Sequence, residues 1–222
     1  MIIGIVLLCL AVVFLLFYAS WSIDSGVYLK CLNRVETKEK RVYLTFDDGP
    51  DPEQTPKVLD VLKAHRAKAV FFCIGEKVEA HPEIVRRILA EGHAVGNHSH
   101  THTSRFPLLR RQAMLADVEA CSVALEKVSD RKVTLFRPPF GVTNPTVAAV
   151  VRRLGLRPVG WTIRTYDTRN SDPDTVLKHI EGKLKPGAII LLHDRLPGSD
   201  RLLHDILTYL KTTGYTFNSL LP

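Results

Sequence analysis

No charged side chain occurs between Met1 and Trp21, the largest departure from an ordinary soluble chain in these 222 residues. That absence excludes a solvent-facing helix there and leaves two readings, a membrane span or a secretory signal. As a helix the stretch would run about 31 Å at about 1.5 Å per residue, enough to cross a bilayer. A signal would normally carry a basic start, a shorter apolar core and a small-x-small cleavage site. Here the start has no Lys or Arg, and the small residues Ala19, Ser20 and Ser22 are interrupted by Trp21. Residues 1–21 are therefore expected to be an uncleaved anchor, with Tyr18 and Trp21 suited to the headgroup level. Cleavage, and a secreted product, is the alternative.

Cysteine is scarce and unpatterned. Cys9 lies in the apolar run, and Cys31, Cys73 and Cys121 show neither metal-like nor redox-like spacing, so buried thiols are expected rather than a disulfide framework. Clustered basic residues are missing too. The net charge of +7 and pI near 9.3 come from scattered Lys and Arg, and the pairs Arg110-Arg111 and Arg152-Arg153 fall in helical stretches. A solvated face fits this better than a nucleic-acid surface, and no nucleic-acid partner is expected. A mild positive field would also favour an anionic wall or lipid surface.

What is present is regular. Residues 22–40 carry no long periodic pattern and suit a linker or short cap. From residue 41 onward, short apolar runs read as strands: 41–46, 69–74, 93–96, 133–136, 158–163, 188–192 and 215–220. Helical patterns lie between them, opened at Thr55-Pro56, Pro82, Asn144-Pro145 and Asp172-Pro173 and closed by Gly92, Gly155 and Gly214. Strand then helix, repeated about seven times, means a parallel sheet covered by helices. The expected fold is α/β, a distorted or incomplete (β/α) barrel of about seven strands preceded by one transmembrane helix. A doubly wound open sheet is the structural alternative.

Five polar clusters sit at predicted strand ends: TFDDGP at 45–50, NHSHTH at 97–102, RPPFG at 137–141, Asp167, and LLHD at 191–194. In barrels of βα units such ends converge on one face. His98 and His102, four apart, would share a face in a helical turn and grip one ion. Asp48 would complete three protein ligands and leave a position open, as a catalytic metal requires. A histidine-rich surface loop is the competing reading, since His93 and His100 lie close by.

These motifs resemble those of the polysaccharide deacetylase family, carbohydrate esterase family 4, also called the NodB homology domain. The likeness spans about 41–194, through TFDDGP, His98-Ser99-His100-Thr101-His102, RPPFG and LLHD in order. It implies that Asp48, His98 and His102 hold a divalent metal, commonly zinc, and that Asp47 is the general base with Arg137 holding it ionised. It further implies His193 as general acid oriented by Asp167, an oxyanion contact from the Phe140 backbone N–H, and Leu191 shaping the acetyl pocket. Each has a plainer alternative: Arg137 bracing a loop, Asp167 capping a turn, His193 lying in the core. The fourth motif departs from the family's D-x-x-D-W: Arg164 stands at the first acid and Thr168 at the tryptophan. Arg164 could meet an anionic substrate group or pair with Asp167. Trp161 is expected in the core.

The resemblance implies a metal-dependent hydrolase that removes N-acetyl groups from N-acetylglucosamine residues of an acetylated glycan, peptidoglycan first and a chitin-like oligosaccharide second. An O-acetyl xylan esterase and a non-catalytic glycan-binding module are the alternatives. Expected boundaries are 1–21 for the anchor, 22–40 for a linker and 41–222 for the catalytic domain. Lys30, Arg34, Lys38, Lys40 and Arg41 all follow the apolar run, which by charge alone favours a cytoplasmic domain. An external glycan requires the opposite, and long domains translocate regardless of such charges, so a domain facing the periplasm or exterior is expected.

Overall fold

A computed structural model describes residues 2–220. After the apolar helix α1 (Ile2–Trp21), the strands are β1 (Arg41–Gly49), β2 (Ala69–Cys73), β3 (Ala94–Asn97), β4 (Leu135–Phe136), β5 (Arg157–Pro158), β6 (Ile163–Arg164), β7 (Ala188–His193) and β8 (Thr216–Phe217). Interleaved with them are α2 (Gln54–Ala64), α3 (Gly75–Ala80), α4 (Pro82–Ala90), α5 (Arg111–Ser129), α6 (Pro145–Leu154), α7 (Pro173–Glu181) and α8 (Ser199–Thr212). The expected punctuation is used. The Asn144 side chain accepts from Val147 N at 2.9 Å and that of Asp172 from Thr175 N at 3.0 Å, each satisfying a first-turn donor.

All strand pairs are parallel, in the order β5-β4-β3-β2-β1-β7-β6, with β8 added beside β1. β5 and β6 are neighbours in sequence yet close opposite ends of this path, so the sheet curls into an incomplete barrel. Period-two alternation then sorts the side chains. Along β1, Val42, Leu44 and Phe46 join the core under α2, α4 and α8, whereas Tyr43 joins the barrel interior with Val70, Phe72 and Ile189. Thr45 and Asp47 continue that inward row towards the C-terminal rim.

The single strand expected at 158–163 is broken into β5 and β6. The four residues between them cross the seam, and Arg137 explains why they cannot continue a ladder. Its guanidinium donates to the carbonyls of Val159 at 3.2 Å and Gly160 at 2.7 Å. Gly160 also lies against Asn33, where a Cβ would fall 1.9 Å from Oδ1.

A strap from the segment after α1 covers the same seam. Leu32 bridges Val159 in parallel and Arg34 bridges Ala188 in antiparallel sense. Leu32 N donates to Pro158 O at 2.9 Å, Gly160 N to Leu32 O at 3.0 Å, and Val35 N to Gly187 O at 2.9 Å. Ile23, Leu29 and Cys31 are buried with α5 and α6 residues such as Met114 and Val147.

Gly187 tests the strap. It adopts φ +80°, and an added Cβ would sit 1.8 Å from Val35 O. Gly187→Ala is expected to cost about 1–3 kcal/mol from backbone strain alone, with each kcal/mol lowering Tm by about 2–4 °C in a chain of this size. It should also expose the Cys31 thiol to alkylation. Unchanged melting and unchanged Cys31 protection would show that the strap is not held at this point.

Candidate active site

The barrel geometry brings all the strand-end clusters to one cleft of about 560 Å³, lined by Asp47, Asp48, His98, His102, Leu191 and His193 among others. The donor atoms of Asp48, His98 and His102 all lie within 4.8 Å of one another. Both His98 Nε2 and His102 Nε2 are 3.4 Å from Asp48 Oδ1. His98 Nδ1 lies 2.8 Å from the Arg137 carbonyl. A carbonyl only accepts, so Nδ1 carries a proton: the neutral ring turns the lone pair of Nε2 to the cluster, and the protonated ring donates from Nε2 to Asp48. The buried Nε2 of His102 has no hydrogen-bond partner among the described residues. Two imidazole nitrogens and a carboxylate oxygen, one of them orphaned, fit a divalent cation of borderline softness.

The two histidines do not converge through a helical turn, as their spacing suggested. Residues 98–102 form an irregular loop in which Ser99 and His102 take φ of 67° and 48°. Ser99 Oγ accepts from His102 N at 3.1 Å. The Asp117 carboxylate of α5 accepts from His100 N at 2.9 Å and Thr101 N at 3.2 Å, fixing the loop from outside. The crowd of histidines is thereby divided: His100 turns towards Glu79 and His93 accepts from Ala69 N.

Asp47 sits beside the cluster, its Oδ2 3.7 Å from His98 Nε2. Its Oδ1 accepts from Arg137 Nη1 at 2.7 Å, and the same nitrogen lies 2.8 Å from Thr45 Oγ1. The Arg137 guanidinium is fully buried and lies over the Phe72 ring at 4.2 Å. Opposite, Asp167 grips His193 twice, taking its backbone N–H and its Nδ1 at 2.8 Å each. That leaves Nε2 of His193 facing the cleft, 4.0 Å from Asp48 Oδ2. Phe140 at φ 61° packs its ring 4.9 Å from that of His102. Leu191 lies at the cleft floor, nearly fully buried.

The electrostatics follow from this crowding. Burial works against a charged Asp48, but the hydrogen bond from His98 and the charges of His98, His102 and His193 hold its carboxyl well below the usual range. Burial likewise opposes a protonated His98; the charges of Asp47 and Asp48 outweigh it and raise its pKa. The negative charge that draws a proton to His98 equally draws a cation. His102 falls to about 4 through burial and the neighbouring His98 charge. His193 is raised despite burial, because Asp167 accepts its hydrogen bond and supports its positive form.

Several participants carried no sequence pattern. Arg195 Nε donates to Asp48 Oδ2 at 2.9 Å and Lys77 Nζ to Asp48 O at 2.6 Å. Both lie outside the strand-end motifs. Trp161, expected in the core, is partly exposed and lines the cleft, because Arg137 and Arg164 occupy its faces at 5.7 Å and 5.5 Å. Arg164 does not pair with Asp167; its guanidinium lies between Trp161 and the Tyr166 ring at 5.4 Å. Thr168 is exposed at the cleft edge, where the family's tryptophan would stand.

Fold and site together define a hydrolase built on a parallel curled barrel with an Asp-His-His cluster. Residues 34–159 match the family model described as polysaccharide deacetylase. The chain is 35% identical to a chitooligosaccharide deacetylase of Sinorhizobium fredii over 88% of this chain and 90% of that one. It is 36% identical to the peptidoglycan-N-acetylmuramic acid deacetylase PdaA of Bacillus subtilis, over 83% and 71% respectively. Among solved structures, a mutant of BA3943 from Bacillus anthracis aligns with TM-score 0.78 and 30% identity, over 85% of this chain and 68% of that one. That protein is described as a family 4 carbohydrate esterase pseudoenzyme with restored enzymatic activity. The chain belongs to the polysaccharide deacetylase family and is a hydrolase of that class.

Asp194, next to His193, is also part of the framework. It is fully buried, accepts from Thr55 Oγ1 at 2.5 Å, and leaves Oδ1 without a partner among the described residues. Burial pushes its pKa from 3.8 to about 7. The folded state thus binds more protons than the unfolded one between those values, so this group makes stability fall as pH rises through the window. Denaturant unfolding at several pH values should show that the advantage of acid pH disappears in Asp194→Asn. Parallel pH profiles for the two proteins would mean that another group titrates.

Proposed function

We propose that this enzyme hydrolyses the N-acetyl groups of amino sugars in peptidoglycan at the Asp48, His98 and His102 cluster. The observation that carries the reading is the geometry of that cluster, with a base candidate and an acid candidate on either side of it. In the proposed division, residues 1–21 anchor the chain, residues 22–40 form the strap packed on the catalytic residues 41–222, and that domain faces the periplasm or cell exterior.

A divalent cation held there, with zinc matching the nitrogen-rich ligand set, would polarise the acetyl carbonyl and acidify water. Asp47 takes the proton of the attacking water as the C–O bond forms. Arg137 keeps Asp47 ionised and aimed. The Phe140 backbone N–H faces the charge that develops on the carbonyl oxygen. As the C–N bond breaks, His193 gives its Nε2 proton to the departing nitrogen, and Asp167 stabilises the charged imidazole beforehand. Acetate and a free amino sugar result. Leu191 provides the apolar seat for the acetyl methyl.

Arg164 favours peptidoglycan over a neutral chitin-like chain. It lines the cleft, stacks on aromatic rings and pairs with no carboxylate among the described residues. An uncompensated guanidinium beside the acetamide site suits a sugar bearing a carboxylate, such as the lactyl group of muramic acid. The scaffold alone does not decide turnover, given its pseudoenzyme neighbour. The presence of Asp47, Asp48, His98, His102 and His193 argues against a non-catalytic glycan-binding module. An O-acetyl xylan esterase would leave Arg164 without a purpose.

Two measurements test this. Asp47→Asn should lower kcat by about 100-fold or more while retaining one metal ion per chain, whereas His98→Ala should lose both metal and turnover. Normal turnover by Asp47→Asn would remove that residue from the base role. Arg164→Gln should raise KM about tenfold, near 1.4 kcal/mol, for muramic-acid-containing fragments and leave a neutral chitooligosaccharide unaffected. Equal effects on both substrates would refute carboxylate recognition.

A further inference from the structure

The end of the apolar helix is joined to the active-site rim by hydrogen bonds, with no flexible tether between them. A helix leaves its last four carbonyls without internal partners. Here Thr143 supplies two of the missing donors, its N–H to Ser20 O at 2.9 Å and its Oγ1 to Ala19 O at 3.2 Å. Ser25 Oγ adds a bond to Ala19 O at 2.9 Å. Ala19 and Thr143 are both buried, and Ile23 enters the core directly after the helix. Thr143 lies three residues from Phe140, so the two are separated by at most about 11 Å of chain. The cleft mouth therefore stands close to the level at which α1 leaves the bilayer.

The rim around this joint has the surface chemistry of a membrane contact. Asn144 Nδ2 donates to Pro107 O at 2.7 Å, which places the 3-10 turn Phe106–Leu108 beside the joint. Leu108 is 85% exposed at its tip, Trp21 63% and Phe140 43%. Arg105, Arg110 and Arg111 flank that turn, exposed and without an acidic partner among the described residues. Isolated apolar tips framed by unpaired arginines suit headgroups and the acyl boundary of an anionic bilayer. The other exposed large hydrophobics outside α1 among the described residues are Val27, Val123 and Tyr166, and none of them lies on α2 or α8.

We propose that the rim formed by Leu108, Phe140 and the three arginines docks on an anionic lipid surface and holds the cleft there. The preferred substrate is then an acetylated glycan attached to the membrane or lying against it, and wall polymer far from the bilayer lies out of reach. This rests on α1 being a membrane anchor. It assigns the scattered positive charge a partial role that composition alone did not show.

The test uses the full chain, in a Cys9→Ala background, reconstituted in phosphatidylcholine vesicles with or without phosphatidylglycerol. The remaining cysteines are buried. Single cysteines at Ser22→Cys, Leu108→Cys and Lys211→Cys carry a fluorophore, and headgroup spin-labelled lipid is the quencher. The labels at 22 and 108 should be quenched strongly and alike, and the label at 211, at the far end of α8, weakly. Removing phosphatidylglycerol, or combining Arg105→Gln, Arg110→Gln and Arg111→Gln, should lose much of the quenching at 108 and little at 22. Quenching at 22 without quenching at 108 overturns the proposal and leaves the anchor intact. Absence of quenching at both positions overturns the anchor as well.

Discussion

The buried guanidinium of Arg137 is the interaction on which the rest depends. It ends β4 at the cleft floor, fastens the Asp47 carboxylate and the Thr45 hydroxyl of β1, and takes the seam carbonyls of Val159 and Gly160. Its own backbone carbonyl fixes the His98 ring. One residue thus sets the base candidate, one metal-ligand candidate and the break between β5 and β6. A buried ion pair is weak evidence for stability, because desolvation offsets most of the attraction. What it supplies here is geometry: a planar fork whose four hydrogen bonds divide between β1 and the seam, with Phe72 and Trp161 covering its faces. A lysine in its place would offer a point charge and lose the fork.

The site concentrates unfavourable conformations as well as buried charge. Asp48, Ser99, His102, Phe140 and Tyr166 all have positive φ, a region costly for residues with a Cβ. Such residues persist only where neighbours over-determine them. Those neighbours are visible: Lys77 and Arg195 on Asp48, Asp117 on the histidine loop, the His102 ring on Phe140. The strain is held by α3, α5 and the β7–α8 loop, while the barrel core beneath carries the apolar burial. This division explains why Lys77, Arg195 and Asp117 stand so close to the cleft.

Much of this was legible in the chain. Strand runs such as 41–46 and 188–192 are continuous because both faces are covered, and the polar clusters after them mark the rim. The Asp48, His98 and His102 grouping was readable because all three sit at or just past strand ends that the barrel gathers. The splitting of 158–163 was not readable, since it arises from Arg137 and Asn33 reaching in from distant positions. The i, i+4 spacing of the histidines points to a helical turn where the structure has an irregular loop, for a similar reason: Ser99 and Asp117 determine its path, and neither spacing nor propensity reveals them. Arg195, Lys77 and Asp117 have no signature because long polar side chains from helices and loops reach the site along many routes. Asp194 had one, adjacency to His193, but burial that leaves an oxygen orphaned is visible only in three dimensions.

The segment after α1 shows how far an apparent appendage can enter the mechanics of a site. Its Ser25 joins Thr143 in capping the helix, Ile23, Leu29 and Cys31 are buried in the core, and its last part closes the seam at Val159, Ala188 and Gly187. Its hydrogen-bonded contacts fall beside cleft residues: Thr143 follows Phe140, Val159 holds Arg137, and Ala188 begins the strand that ends in His193. A helix fixed at one end to such a segment transmits its orientation to the rim, because the intervening side chains are packed and have no slack to absorb it. Helix α1 and the cleft are therefore mechanically a single body, and whatever orients that helix orients the cleft.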